Sequence, residues 1–595
     1  MKFKKVFSLS LVVLALVSCK GNSNSNTNTG TNSNSNNTNS VVSTKPSEVT
    51  VTKKDSKLYL GSLLQSLNMP TFFFSDASDI PYVSIDDFFI NGFNTVLDPS
   101  KENIGYKLDN NSIINKYNNA SLVFDVENNT ISSEDFDQFN SACTNLNDPT
   151  NLLSVVSDAT AKYSDKTSYT KGNKVTFNLS KYGVSLKKYD GKIYVPFAFV
   201  ETILDAASTM RFIFNGENYY FYSSPAALRN DDGTLTEYGT SLYAGSLLTD
   251  KKVSQSYANY IYNAFIFTLE NFNGHYSKLN ISSLDTKLKE VGLKDRICST
   301  DPVTSNTAMA EVVNKYFNDG GHTAFLFSGI NAEYNPDRDE QLSGEIKNYD
   351  TRLVESSQND DELKKLRGVD TLTNHLDIEG ETAIIRFDSF KMNQAGVTYS
   401  KDTISKDNTT TFAIIYNSFE TIKQNSSIKN VVFDVTLNGG GQIPALGQAL
   451  SFMTNDPVEV NVKDTLTGSF TKTCVKYDND LDGDFDDDDS YEGKYNFYIM
   501  TSVSSYSCGN AFPIIAQEYG YAKVIGQTSG GGDCSTLSFV GADGTVWAMS
   551  SYKGFASKNN DKDFDLGATP DYTLDNSYFY DKTKLNNYLS TLNTK

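Results

Sequence analysis

The order of apolar and polar residues over 495–534 predicts a strand, a turn, a helix and a second strand. Residues 495–501 are apolar and aromatic over the length of a buried strand. Four serines crowd the turn that follows, and the apolar spacing is then helical over residues 508–519. Residues 522–526 predict the next strand, which leads into the glycine run 530–532. We expect the rest of the fold to be organised around this unit.

The last of the four serines, Ser507, lies between the predicted strand and the predicted helix. A side chain in that position is exposed, and the free N–H groups and positive dipole end of the helix favour a developing oxyanion. Ser507 therefore suits a nucleophile. An ordinary N-capping serine would occupy the same position, so the pattern alone leaves both interpretations open.

Residues 48–240 are predicted to form a separate, small α+β domain. Residues 192–204 predict a strand running into a helix, and residues 211–223 predict a hairpin around Asn215-Gly216. This order resembles the small modules found at the N-termini of copper amine oxidases and many bacterial surface proteins. No His or Cys metal cluster accompanies it, so we expect a structural or substrate-presenting module.

The remaining length predicts an α/β, multidomain protein. A chain of 595 residues suggests two or three domains. Residues 241–374 are mainly helical, and their charged stretch 330–370 suits a lid, a mobile arm or a binding insert. Residues 375–580 alternate strands with amphipathic helices, which predicts a core with a mixed β-sheet and flanking helices.

The N-terminus predicts export and lipid anchoring. Lysines among the first five residues precede an apolar run, so residues 1–18 are expected to be a signal peptide. Leu16–Cys19 resembles a bacterial lipobox, in which Cys19 is lipidated, although an incidental cysteine is the alternative. Residues 19–47 are rich in Asn, Ser and Thr and predict a disordered tether. The expected location is extracytoplasmic, on a membrane of the bacterial cell envelope.

The segment SYSCGNAFPIIAQEYGYAKVIGQTSGGG, residues 505–532, resembles the catalytic segment of the tail-specific (C-terminal processing) serine peptidases of family S41. In that family a serine turn opens a helix with an ending like Gln517–Gly520, followed by a V-I-G-x-x-T strand and a Gly-rich loop. The resemblance covers roughly residues 257–574 and implies that Ser507 is the nucleophile. A cysteine nucleophile at Cys508 is a weaker alternative, because Ser507 holds the matching position.

The resemblance also implies which residue is the base. One branch of the family uses a lysine where this chain has Gly532. The other branch, similar to the tricorn core and the interphotoreceptor retinoid-binding proteins, uses the histidine of a D-G-H-T motif. Asp319–Thr323, DGGHT, resembles that motif with one added glycine and implies His322 as base. His275 and His375 lack such a setting.

Two more motifs complete the implied site. Residues 434–441, DVTLNGGG, resemble the family's D-L-R-x-N-x-G-G with Thr436 in place of the arginine. Because glycine lets backbone N–H groups approach an oxyanion closely, we expect the amides of Gly440 and Cys508 to form the oxyanion hole. A plain Gly-rich turn is the alternative. Near the G-x-x-P-D ending, where the histidine branch has an orienting Glu, we favour Asp565 for fixing the imidazole tautomer.

Residues 478–489 form an acidic loop that matches part of a calcium-binding pattern. Carboxylates at loop positions one, three, five, seven and twelve, with glycine at six, predict that one structural Ca²⁺ is held by Asp478, Asp480, Asp482, Asp484 and Asp489. Because Asp489 is shorter than the usual bidentate Glu, a solvated acidic loop is the alternative. No cofactor is predicted to be required for catalysis.

Five cysteines follow Cys19, namely Cys143, Cys298, Cys474, Cys508 and Cys534. An odd number cannot pair completely within the chain. A bridge between Cys508 and Cys534 would flank the proposed catalytic segment.

The sequence therefore predicts a lipid-anchored serine endopeptidase that acts on proteins or peptides. A net charge of −20 argues against nucleic acid as a partner. Two alternatives remain open: a catalytically inactive binding protein on the same scaffold, and a cell-surface adhesin in which residues 48–240 carry the function. Retention of Ser507, His322 and the glycines favours the enzyme, since a binding protein needs none of them.

Overall fold

The computed structural model describes residues 49–60, 66–96, 105–141, 160–206, 211–222, 228–230, 232–245, 252–393 and 399–592. The predicted signal peptide, Cys19, the tether and Cys143 lie outside the described residues. None of the helices in these ranges has the length and apolar character needed to span a bilayer.

A six-stranded mixed sheet, called the central sheet below, carries the Ser507 unit. Its strands in spatial order are Leu376–Glu379, Thr382–Arg386, Asn430–Asp434, Asn496–Thr501, Lys523–Gly526 and Tyr572–Thr573. The first two pair antiparallel and all later neighbours pair in parallel. The sheet confirms the predicted α/β class.

Helices cover both faces of the central sheet, which is why its middle strands are apolar and buried throughout. One face packs against Thr411–Ile422, Ile443–Ser451 and Cys508–Tyr519. The other face packs against the C-terminal helix Lys582–Leu592. Parallel strands end at the same edge of a sheet, so the turns after Asp434 and Thr501 meet there, as ligand and catalytic sites in such sheets do.

The N-terminal region contains three small sheets. The predicted strand and helix appear as Lys192–Pro196 and Phe197–Asp205, and the predicted hairpin is confirmed by the pairing of Arg211–Phe214 with Tyr219–Tyr222. The other strands of these sheets are Val51–Lys54, Lys57–Tyr59, Ser66–Asn68, Thr71–Phe74, Ala77–Ser84, Tyr106–Asp109, Ser112–Asn115, Ser121–Asp125, Thr130–Ser133, Val175–Asn178 and Lys187–Tyr189.

A seven-stranded sheet, called the outer sheet below, joins the N-terminal region to the rest of the protein. Its strands are Ala161–Tyr163, Ser168–Thr170, Ala324–Phe327, Val458–Asp464, Phe470–Tyr477, Cys534–Val540 and Val546–Ala556. The first two come from the predicted N-terminal domain and pair with Phe470–Tyr477. The sheet is therefore shared between regions that the sequence analysis separates.

The predicted boundary at residue 240 does not separate two hydrophobic cores. One continuous core contains the N-terminal sheets, the helices that follow residue 252, and part of the outer sheet. Those helices are Gln255–Phe272, Leu284–Glu290, Leu293–Ile297 and Pro302–Tyr316. At the contact, the rings of Phe265 and Trp547 meet edge to face with centroids 5.1 Å apart. The described residues of the N-terminal region thus share one hydrophobic core with the helices and strands that follow residue 252.

The charged stretch 330–370 forms the helices Pro336–Gly344 and Thr351–Arg367. The second, called the polar helix below, buries only Leu363. Polar contacts hold it near the Ser507 turn: Asn359 Nδ2 lies 3.0 Å from Ser502 Oγ and 2.9 Å from Ser504 Oγ. The charged stretch is thus a helical insert that flanks the Ser507 turn.

Candidate active site

Hydrogen bonds from its own hydroxyl groups hold the serine-rich turn after Thr501 in place. Ser502 Oγ donates to the carbonyl of Thr436 at 2.6 Å, and Ser505 Oγ donates to the carbonyl of Val435 at 2.7 Å. These bonds hold the Ser507 turn against the Gly-rich turn that follows the neighbouring strand. In the described residues Ser507 Oγ makes no such bond and stays partly exposed at the helix N-terminus.

Ser507 has a strained backbone. Its φ of 55° and ψ of −121° lie outside the regions that side chains other than glycine favour. Gly440 packs directly against it: a Cβ on Gly440 would lie 2.6 Å from Ser507 Cβ and 3.0 Å from Oγ. Only glycine fits there. Strain of this kind persists where the surrounding structure enforces it, typically at functional sites.

The amides around Ser507 correct part of the predicted oxyanion hole. The N–H of Gly440 donates to Asn438 Oδ1 at 2.9 Å, so it is already engaged. In the described residues no acceptor bonds the N–H of Cys508 or of Gly441. The available amide donors at this turn are therefore Cys508, as predicted, and Gly441, one residue beyond the predicted glycine.

Cys508 serves as a packed side chain. Burial raises the pKa of its thiol to about 12, and Sγ donates to the carbonyl of Gly441 at 3.2 Å. This argues against the alternative of a cysteine nucleophile, since a thiolate is required for attack. Cys508 and Cys534 are both free thiols, so the suggested bridge between them is absent.

His322 lies in a turn that the Asp319 carboxylate organises. Asp319 Oδ1 accepts the N–H groups of His322 and Thr323 at 2.9 Å each, and Oδ2 accepts the Thr323 hydroxyl at 2.8 Å. The two glycines of the turn both have positive φ, which explains why an added glycine is tolerated. Burial alone would raise the pKa of Asp319, but His322 and these hydrogen bonds lower it.

The fold places His322 close to Ser507, in contact with the side chain of the preceding residue. The imidazole meets the ring of Tyr506, the residue before Ser507, edge to face with centroids 4.8 Å apart. Tyr506 also donates its hydroxyl to the carbonyl of Asp319 at 3.0 Å. No hydrogen bond joins Ser507 Oγ to the imidazole among the described residues. Burial lowers the pKa of His322, which favours the neutral form that a general base requires.

Asp565 does not orient His322 in this structure. Its Oδ1 accepts the N–H of Gly532 at 3.1 Å and lies 3.3 Å from Arg352 Nη1, while Oδ2 lies 3.6 Å from Lys278 Nζ. The carboxylate therefore supports the Gly-rich loop beside Ser507. The described residues show no hydrogen bond between Asp565 and His322, because the carboxylate faces these other groups.

Sequence reasoning missed Arg386. Its guanidinium supplies the positive charge beside Asp434 that a threonine at position 436 does not provide. Arg386 Nε lies 2.8 Å from Asp434 Oδ2, and its guanidinium also pairs with Asp377. Thr436 instead donates its hydroxyl to Asp434 Oδ1 at 2.7 Å. The available signal was a single charge ending the apolar strand Thr382–Arg386, since a buried charge needs a partner.

His275 was also missed. Its Nε2 lies 2.8 Å from Asp533 Oδ1, directly after the glycine run, and both side chains are buried. Burial alone would lower the pKa of His275, but the Asp533 carboxylate raises it. The pair joins the end of the helix Gln255–Phe272 to the Gly-rich loop. No local pattern around His275 signals this long-range contact.

The acidic loop gathers carboxylates in two overlapping groups that could hold a cation. One group is Asp478, Asp480 and Asp489, and the other is Asp484, Asp486 and Asp489. Asp482, a predicted ligand, belongs to neither, and Asp486 was not predicted. Burial raises the pKa of Asp489 to about 6.

We expect chelation to lower the thermal stability of the protein. Calcium bound only to the folded state stabilises it by about 2.7 kcal/mol at a hundredfold excess over Kd. Melting curves with millimolar calcium or with EDTA measure the effect. Asp489→Asn should abolish the difference, whereas Asp488→Asn, with a side chain 88% exposed, should not. Identical melting curves with and without calcium would favour the solvated loop.

A strained serine at a helix N-terminus, packed against a Gly-rich turn and close to a buried histidine, suits nucleophilic serine catalysis. That chemistry defines the class of protein. Residues 381–574, about one third of the chain, match the model of Peptidase family S41. The chain thus carries an S41 peptidase domain, as the resemblance implies, and this points to a serine peptidase.

Several solved structures are similar to part of this chain at low sequence identity. A lipoprotein from Streptococcus agalactiae is 15% identical, with 57% of this chain and 96% of that chain covered and a TM-score of 0.34. A putative peptidase from Parabacteroides merdae ATCC 43184 is 15% identical, with 53% and 89% covered and a TM-score of 0.35. The photosystem II D1 C-terminal processing protease is 11% identical, with 53% and 92% covered and a TM-score of 0.32. No match was found among curated proteins.

Proposed function

We propose that this protein is a serine endopeptidase of the tail-specific type, which hydrolyses peptide bonds in proteins through an acyl-enzyme. The observation that carries the proposal is the strained Ser507, held between Gly440 and the start of an S41-type helix. A non-catalytic serine at an N-cap needs neither the strain nor the obligatory glycine.

In the proposed reaction, His322 accepts the hydroxyl proton of Ser507 as Oγ attacks the scissile carbonyl. The oxyanion of the tetrahedral intermediate lies near the free amide of Cys508 and the positive end of its helix. His322 then donates the proton to the leaving amine, and a water molecule hydrolyses the acyl-enzyme by the same route.

Labelling with a fluorophosphonate probe tests the proposal directly. The probe reacts with activated serine hydroxyl groups, and mass spectrometry identifies the labelled residue. We expect one label, on Ser507, that is lost in Ser507→Ala. A protein that resists the probe, or is labelled only elsewhere, would contradict the assignment of the nucleophile.

One observation favours a second candidate, a catalytically inactive binding protein. Ser507 Oγ and His322 form no hydrogen bond among the described residues, and the half-buried Tyr506 ring contacts the imidazole. In resting enzymes such bonds are often long and tighten only with substrate, so this geometry alone does not decide. Tight binding of an unfolded protein without cleavage, together with no probe labelling, would favour the binding protein.

We infer that the protein is anchored outside the cytoplasmic membrane by a lipid on Cys19. The support is the apolar leader ending in Leu16–Cys19, followed by a tract too polar to form a core. Cys19→Ala should move the protein from the membrane fraction to the soluble fraction and remove incorporated lipid label. A Cys298→Ala variant controls for loss of an unrelated free thiol. Unchanged fractionation and lipid labelling of Cys19→Ala would refute the anchor.

A further inference from the structure

Ser550 connects the two side chains of the His322 turn. It lies in the outer-sheet strand Val546–Ala556 and is completely buried. Its Oγ is 2.6 Å from Asp319 Oδ2 and 3.4 Å from His322 Nδ1. The hydroxyl therefore stands between a buried carboxylate and a buried imidazole.

The hydrogen-bond partners of Asp319 determine which group donates in the hydrogen bonds that join Asp319, Ser550 and His322. Its two oxygens accept backbone N–H groups and the hydroxyl groups of Thr323 and Ser550. Because each of these groups donates a hydrogen bond to Asp319, the carboxylate acts only as an acceptor. Ser550 must then give its single proton to Asp319, which leaves a lone pair of Oγ toward the imidazole.

We propose that Ser550 is a positioning residue that fixes the tautomer of His322, with Asp319 as the carboxylate behind it. A lone pair facing Nδ1 is satisfied only if Nδ1 carries a proton. In the neutral imidazole Nε2 is then the proton acceptor. This deepens the proposed function, on which it rests, because Nε2 is the atom that accepts the Ser507 proton there.

This arrangement replaces the direct carboxylate–imidazole contact expected from Asp565. Asp565 is occupied by Gly532, Arg352 and Lys278. A carboxylate that acts through a neutral hydroxyl stabilises the imidazolium less than one in direct contact. The hydroxyl nevertheless distinguishes the two tautomers, because it presents an acceptor to Nδ1 and not a donor.

Nitrogen NMR of ¹⁵N-histidine-labelled protein tests the assignment without requiring turnover. The chain has only three histidines, so the signals of His322 are identified by their loss in His322→Gln. Above the titration of His322 we expect a protonated Nδ1 and an unprotonated Nε2. In Ser550→Ala the population should move toward the Nε2–H tautomer. Ser550→Thr keeps a hydroxyl and should retain the Nδ1–H tautomer of the wild type.

Ser551→Ala is the matched control, because Ser551 is on the same strand, equally buried, and bonded to Ser535 and not to the imidazole. In active enzyme, Ser550→Ala should lower kcat by about 10²-fold with little change in KM, less than the ~10⁴-fold loss that a wrong tautomer causes behind a direct carboxylate. A wild-type His322 in the Nε2–H form overturns the proposal, as does a Ser550→Ala variant with unchanged tautomer. Inactive wild type with the expected tautomer would refute the proposed function alone.

Discussion

Replacing Ser507 by alanine is expected to remove nearly all peptidase activity, by about 10⁴-fold or more in kcat. The alanine retains the fold but has no Oγ to attack the carbonyl. His322→Ala should cost about as much, because an unassisted serine hydroxyl is a poor nucleophile at neutral pH. The double variant should be little worse than either, since the two residues act as a unit. Cleavage of an unstructured protein measures all three.

The pH dependence of kcat/KM provides a further check on the base. His322 acts as base only when neutral, so activity should rise with pH as the imidazole loses its proton. Burial lowers the pKa of His322, so the rise should be centred below the ordinary histidine pKa of ~6.5. His375→Gln is the control, as the imidazole of this half-buried histidine is hydrogen-bonded to the carbonyl of Arg386 and lies in a different segment from His322. Near wild-type activity in His322→Ala would show that another group is the base.

Arg386→Met is expected to lower the free energy of unfolding by about 3–5 kcal/mol. The Arg386 side chain is 9% exposed and that of Asp434 is 2% exposed, so the variant leaves a carboxylate buried without its cation. Urea denaturation measures the loss. The same variant should lower activity, because Asp434 begins the turn that carries Gly440.

Two further variants separate the buried ion pair from surface charge. Lys429→Met breaks the ion pair between Lys429 and Glu381, whose side chains are 59% and 38% exposed. The free energy of unfolding should fall by less than ~1 kcal/mol. Adding Asp434→Asn to Arg386→Met should recover part of the lost stability, because the uncompensated charge is gone. If Arg386→Met is no less stable than Lys429→Met, the guanidinium does not support the turn.

Much of the central unit could be predicted from local sequence. The strand Asn496–Thr501, the helix Cys508–Tyr519 and the strand Lys523–Gly526 lie close to the predicted ranges. Periodicity and a glycine after the helix are short-range signals, so they survive without tertiary information. The DGGHT turn was identified by its resemblance to a short family motif, which is also a local signal, and the structure brings this turn beside Tyr506.

The contacts between distant segments could not be predicted. Asp565 was expected at the imidazole and instead supports Gly532, while Gly440 was expected to donate to an oxyanion and instead donates to Asn438. The direction of a carboxylate or an amide depends on which segments pack around it. The described residues on the two sides of the predicted boundary at residue 240 share one core and one sheet for the same reason, because strands Ala161–Tyr163 and Ser168–Thr170 pair with Phe470–Tyr477.

The sequence by itself determined the α/β class, the nucleophile turn, the histidine turn and the resemblance to family S41, since each depends on residues close together in the chain. Only the tertiary structure decided that Arg386 compensates for Thr436, that His275 pairs with Asp533, and that a hydroxyl stands between Asp319 and His322. These contacts join segments 48 to 258 residues apart. A buried polar or charged group needs a partner, but the tertiary structure determines which residue that partner is.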